Sequence, residues 1–222
     1  MSQINQNEQK VLAARTAIET LVEKGLIFSG MKIGLGTGST ALPAVKRLAE
    51  YIEDGTLKDI KAVVTSFQTE NACADWGIPV YSFNDCNLIK GGGAALLREK
   101  IVAYNAKKFV VVADESKAVS SVGTKFPLPI EIIAEAYVPV KNKLEKMGAK
   151  CTLREGVRKC GPVITDNGNQ IIDCLWENPV DPKKLEDEIN DITGVVEVGF
   201  FTKNKPAAFI AKSDGSVEVR GL

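Results

Sequence analysis

In MKIGLGTGSTALPAVKRLAEYIEDG (31–55) a short apolar run passes through a glycine-rich turn into an amphipathic stretch, and the same order recurs downstream. IKAVVTS (60–66) leads into QTENACADWG (68–77), and IPVYSF (78–83) leads through a glycine triplet into AALLREKIVAYNAKK (94–108). FVVVAD (109–114), strongly β-branched, closes the series. Alternation of this kind predicts an α/β fold with a mostly parallel sheet, because parallel neighbours need a crossover helix between them. A helix over 6–24 precedes the series, with Val11, Ala14, Ile18, Leu21 and Val22 at helical spacing.

The rhythm changes near KFPLPIEII (125–133), where two prolines interrupt it. AYVPVKNKLEKMG (136–148) and DPKKLEDEIND (181–191) read as helices. CTLRE (151–155), PVITD (162–166), QIIDCLW (170–176) and GVVEVGFF (194–201) read as strands, with DNGN (166–169) as a turn. This part has an α+β pattern, suited to a small second domain. AAFIAKSDGSVEVRG (207–221) predicts a closing hairpin around Asp214-Gly215.

Composition matters mainly through what is missing. The chain has no histidine, which excludes Ser-His-Asp triads, Cys-His dyads and histidine-bound zinc. Acid–base chemistry must come from Asp, Glu, Lys, Tyr or Cys. Five scattered cysteines form no CxxC pair and predict neither a metal site nor a redox dithiol. Twenty-eight basic residues balance 28 acidic ones, so neither nucleic acid nor an acidic membrane is an expected partner. No apolar run reaches membrane-spanning length, and MSQINQNEQK lacks the apolar core of a secretory signal. The expectation is a cytoplasmic protein.

Two glycine turns carry the chemistry. In GLGTGSTA (34–41) a strand gives way to a helix, where outward-pointing N–H groups and the helix dipole favour an anion. Thr37, Ser39 and Thr40 add hydroxyls, and Gly38 permits close approach. The same residues also suit an ordinary strand-to-helix turn with a hydroxyl cap. A Walker A loop would need Gly-Lys-Ser/Thr, whereas Gly38 is followed directly by Ser39. A dinucleotide fingerprint would need G-x-G-x-x-G and an acidic residue closing the next strand, which here ends in Thr65 and Ser66. A small phosphorylated metabolite fits better than a nucleotide. In LIKGGGAALLREK (88–100) three glycines stand where a helix is about to begin, an entropic cost that is explained if a ligand lies against the backbone.

Together these motifs resemble ribose-5-phosphate isomerases of the A type. VTSFQTENACADWGIPV (64–80), VVVADESK (110–117), KFPLPIEII (125–133) and GPVITDNGNQIID (161–173) extend the resemblance in the same order over nearly the whole chain. It implies a doubly wound, Rossmann-like α/β domain over 1–130 plus 204–222 and a smaller α+β domain over 131–203. It also implies a cofactor-free, metal-free interconversion of ribose 5-phosphate and ribulose 5-phosphate in a homodimer or homotetramer. Matched by motif, Thr37, Gly38, Ser39, Thr40, Lys90, Gly91, Gly92, Gly93 and Lys117 would contact the sugar phosphate. Glu99 would be the general base, with Lys90 stabilising the enediolate oxygen. Read alone, Glu99 is an ordinary helical glutamate and Lys117 an ordinary surface lysine.

The resemblance breaks at one place. Family members carry an acidic Asp-Gly-Ala-Asp-Glu loop on a strand just before the lysine–glycine motif. Here GIPVYSFND runs straight into CNLIKGGG, with Asp85 the only carboxylate nearby. Loss of that strand should cost its sheet neighbours their ladder bonds. It also opens an alternative of another class, a non-catalytic sugar-phosphate binding module on the same fold. A nucleotide-dependent dehydrogenase fails on the loop spacing.

Overall fold

The computed structural model describes residues 3–80, 92–118, 122–123, 126–158, 160–204 and 206–222. The chain divides into two compact units: Met1–Ile89 with Ile101–Ala118 and Asn204–Leu222, and Lys90–Lys100 with Val119–Lys203. These units place residues 90–100 and 119–130 with the smaller part, where the sequence pattern draws the boundary at 130/131.

In the first unit α1 (Gln6–Glu23) begins with a reciprocal cap: Asn5 Oδ1 accepts from the Asn7 and Glu8 amides, and Glu8 Oε2 accepts from the Asn5 amide at 2.7 Å. Its buried stripe of Ala13, Ala14, Ala17, Ile18 and Leu21 packs on α2 (Ala41–Glu53), β3 (Val110–Asp114) and β8 (Ala207–Ala211). β1 (Lys32–Leu35) pairs in parallel with β2 (Lys61–Val64), and Val80 adds a parallel bridge beyond β2. β3 pairs in parallel with β8, and β9 (Val217–Arg220) returns antiparallel after the Asp214-Gly215 turn. Gly215 takes φ +84 there, as that tight turn requires.

The expected parallel sheet is therefore present in two pieces. Among the described residues β1–β2 and β3–β8–β9 share no ladder bonds. The 81–83 portion of the strand read over 78–83 lies outside the described residues.

The second unit is an antiparallel sheet in the order β5–β6–β4–β7, formed by Lys150–Leu153, Gln170–Leu175, Leu128–Ile132 and Val195–Val198. α5 (Tyr137–Lys146) and α6 (Pro182–Asn190) accompany it, and Asp181 caps α6 through bonds from the Lys183 and Lys184 amides. Ile130, Ile132, Val140, Leu144, Ile172, Ile189 and Val198 are fully buried and form its core. PVITD is not a strand: Pro162 makes one bridge to Glu155, and the following residues leave the ladder for the 165–169 turn.

Gly194, just before β7, sits at φ +99 with room for no side chain: an added Cβ would lie 2.2 Å from the Ala136 Cβ. Gly194→Ala should combine left-handed strain with overpacking and lower stability by about 2–3 kcal/mol. Urea unfolding checks this through the midpoint at unchanged slope.

Candidate functional site

Parallel pairing of β1 with β2 sets Leu35 beside Val64, so the turns that follow these strands lie side by side at the carboxyl edge. After β1 the chain turns through Gly38, at φ +98, into α2. The Ala41 and Leu42 amides donate to Gly38 O at 3.0 and 3.2 Å. Thr40 occupies the cap position, but its hydroxyl makes no capping bond, contrary to the expected hydroxyl cap. Thr37 and Thr40 are buried and Ser39 is exposed.

The second turn supplies residues that motif reading did not single out. Gln68 Oε1 accepts from both Thr37 Oγ1 (3.0 Å) and the Gly38 amide (3.2 Å). Ser66 Oγ donates to Thr37 Oγ1 at 2.8 Å, and Thr69 Oγ1 donates to Gly36 O at 2.8 Å. Ser66 is also the cap of α3 (Phe67–Asp75), accepting from the Thr69 amide. The available signal was positional: parallel neighbours place successive strand-to-helix turns together.

Lys117 is exposed on a 3-10 turn, Glu115–Lys117, directly after β3. That turn is fixed from two directions. Asp114 Oδ1 accepts from the Ser116 amide at 3.1 Å and from Gln6 Nε2 at 3.2 Å, and Ser116 Oγ bonds to it as well. Burial works to raise the Asp114 carboxyl, but the bonds from Ser116 and Gln6 and the nearby Lys117 charge outweigh it, leaving it below the ordinary range.

The glycine triplet and Glu99 belong to the second unit. Lys90 and Gly91 lie outside the described residues, as does Asp85. Gly92 and Gly93 are exposed, and Ala94 takes φ +62. That left-handed residue delays α4 to Leu96–Tyr104, against the predicted 94–108. At the other end Asn105 Nδ2 donates to Ile101 O at 2.6 Å and closes the last turn. Glu99 is fully buried, with its amide bonded to Ala95 O at 2.9 Å. The structure therefore gathers Thr37, Gly38, Ser39 and Thr40 on one edge of the first unit. It holds Gly92, Gly93 and Glu99 on one short segment of the second.

A parallel sheet with hydroxyl-rich glycine turns at its carboxyl edge places the chain among the α/β proteins whose ligand sites lie at strand ends. Within that class, a family model for ribose 5-phosphate isomerase A (phosphoriboisomerase A) matches residues 61–215. The chain belongs to this family. It is 55% identical to the ribose-5-phosphate isomerase A of Treponema denticola, over 96% of this chain and 98% of that one. A solved D-ribose-5-phosphate isomerase in complex with phospho-erythronic acid superposes with a TM-score of 0.91 at 37% identity, covering 99% of this chain and 100% of that one. Ribose 5-phosphate isomerase A of Methanocaldococcus jannaschii gives a TM-score of 0.87 at 39% identity, covering 97% and 99%. The Treponema alignment runs over 234 positions, more than the 222 residues of this chain, so that relative has residues with no counterpart here. These relatives favour an isomerase over a non-catalytic binding module.

Proposed function

We propose that the chain interconverts D-ribose 5-phosphate and D-ribulose 5-phosphate through an enediolate, with Glu99 as the base. The observation that carries this reading is the complete burial of the Glu99 carboxyl group, six residues beyond the last glycine of the triplet. A carboxyl group is costly to bury, and a carboxylate removed from water is a stronger base. Glu99 takes the C2 proton, the C–H electron pair becomes the C1=C2 double bond, and the aldehyde oxygen becomes the enediolate oxygen. Return of the proton to C1, with O2 becoming the carbonyl and its proton passing to O1, gives the ketose. Atoms and electrons balance within the sugar, so no cofactor is needed.

Lys90 offsets the oxyanion charge in this reading, and Gly91, Gly92 and Gly93 let the sugar lie against backbone. Thr37, Gly38, Ser39, Thr40 and Lys117 bind the substrate, with the phosphate suited to the amides and hydroxyls at the start of α2. Gly38→Ala supports or removes that part. Space is open around Gly38, so the expected damage comes from its φ of +98 and falls on the turn itself. KM should rise about tenfold, the equivalent of about 1.4 kcal/mol, with kcat little changed. Conversion of ribose 5-phosphate by the purified chain in EDTA, without nucleotide, tests the whole reading. Saturable binding of the sugar phosphate without conversion would select the non-catalytic module instead.

A further inference from the structure

The antiparallel sheet of the second unit has an apolar face and a carboxylate face. Ile130, Ile132, Ile172, Cys174 and Val198 point into the core. The alternate positions put Glu131 on β4, Asp173 on β6 and Glu197 on β7 on the opposite face. Glu131 and Glu197 are register partners across β4 and β7. Like charges directly opposite one another cost stability, so this pairing calls for compensation.

Each carboxylate is engaged, and each engagement leads to the segment that carries Glu99. Asp173 binds Arg154, with Arg154 Nε at 2.7 Å, and Arg154 Nη1 donates to Gly92 O at 3.2 Å. Glu131 Oε1 accepts from Thr165 Oγ1 (2.9 Å), Asn167 Nδ2 (3.0 Å) and Asn169 Nδ2 (2.9 Å), which fixes the 165–169 turn. That turn receives Arg98: Arg98 Nε donates to Asn167 Oδ1 at 3.0 Å and Arg98 Nη2 to Asp166 O at 2.9 Å. Glu197 Oε1 accepts from Lys100 Nζ at 2.7 Å. The residues before and after Glu99 are thus tethered to two glutamates that face each other across the sheet.

We propose that this carboxylate face is a positioning platform for the catalytic segment 92–100, and that Arg98, through Asn167 and Glu131, is a positioning residue for Glu99. The proposal rests on the reading of Glu99 as the base. Misplacement of a reacting group by about 1 Å costs on the order of 10²-fold in rate, so the tether should act on kcat. Arg98 is the residue to test because its side chain is 31% exposed and its loss opens no core cavity.

Arg98→Ala and Asn167→Ala should each lower kcat about 10- to 100-fold. KM for ribose 5-phosphate and Kd for phospho-erythronic acid should stay within about twofold. Arg98→Lys, which keeps the charge but not the two-pronged guanidinium, should recover part of the loss. Hydrogen exchange over residues 95–100 should speed up in both alanine variants, a readout independent of turnover. Wild-type kcat and unchanged exchange in either folded variant would overturn the proposal. So would a raised KM at normal kcat, which would make Arg98 a ligand contact. Glu99→Gln run in parallel separates the two readings. Normal turnover there removes the base assignment itself, whereas loss of turnover there with intact Arg98→Ala removes only the platform.

Discussion

Glu99→Gln should reduce turnover by about 10²–10⁴-fold, the contribution usual for a positioned acid–base group. The substitution keeps the shape but replaces a carboxylate oxygen by an NH2 group, which cannot act as the base. It replaces a fully buried carboxyl group with an amide that is cheaper to take out of water. The variant should therefore still fold, and its urea midpoint checks that it does. Steady-state kinetics and ligand titration on the same sample separate loss of chemistry from loss of fold. A variant with wild-type kcat would remove Glu99 from the mechanism.

Lys100→Met should be the most destabilising single change, by about 3–5 kcal/mol, because it breaks a buried ion cluster from one side. Lys100 Nζ lies 2.9 Å from Glu186 Oε1 and 2.7 Å from Glu197 Oε1, with side-chain exposures of 4%, 1% and 16% respectively. Glu186 Oε2 also accepts from the Thr202 amide and hydroxyl, and the Phe201 ring lies 5.1 Å from the ammonium. Methionine fills the volume but leaves two carboxylates facing each other without that cation. Adding Glu186→Gln and Glu197→Gln to Lys100→Met should recover part of the loss, since the charge left unmatched is then removed. Urea denaturation of the single and triple variants measures both effects. Equal stability of Lys100→Met and wild type would mean that the cluster contributes nothing.

Local signals carried much of the fold. The helix at 6–24, the glycine turn after β1 and the Asp214-Gly215 hairpin are each written within a few residues, although Val11 of the expected helical stripe is exposed. Misread boundaries have nonlocal or conformational causes. Nothing in AALLREK announces that Ala94 will adopt φ +62 and push the helix start to Leu96. PVITD has the composition of a strand, yet Thr165 bonds to Glu131 across the fold and bends the chain into a turn.

The candidate site was legible to a similar degree. Glycine and hydroxyl motifs point to Thr37–Thr40 and to the triplet before α4. Gln68 was not singled out, because its role depends on β1 and β2 being neighbours. Glu131, Asp173 and Glu197 were also missed, being scattered acidic residues until antiparallel pairing puts them on one sheet face. The bonds of Arg98, Lys100 and Arg154 to these carboxylates and to the turn beside them are likewise invisible to spacing alone.

Proton traffic at the sugar carbons tests the central claim most directly. Ribose 5-phosphate incubated with the chain in D2O and followed by NMR should yield ribulose 5-phosphate, with deuterium at C1 in those turnovers in which the proton held by Glu99 exchanges with solvent before its return. Glu99→Gln should slow product formation and exchange together by about 10²–10⁴-fold. Binding of the sugar phosphate by the wild-type chain with no product and no deuterium uptake would contradict the account.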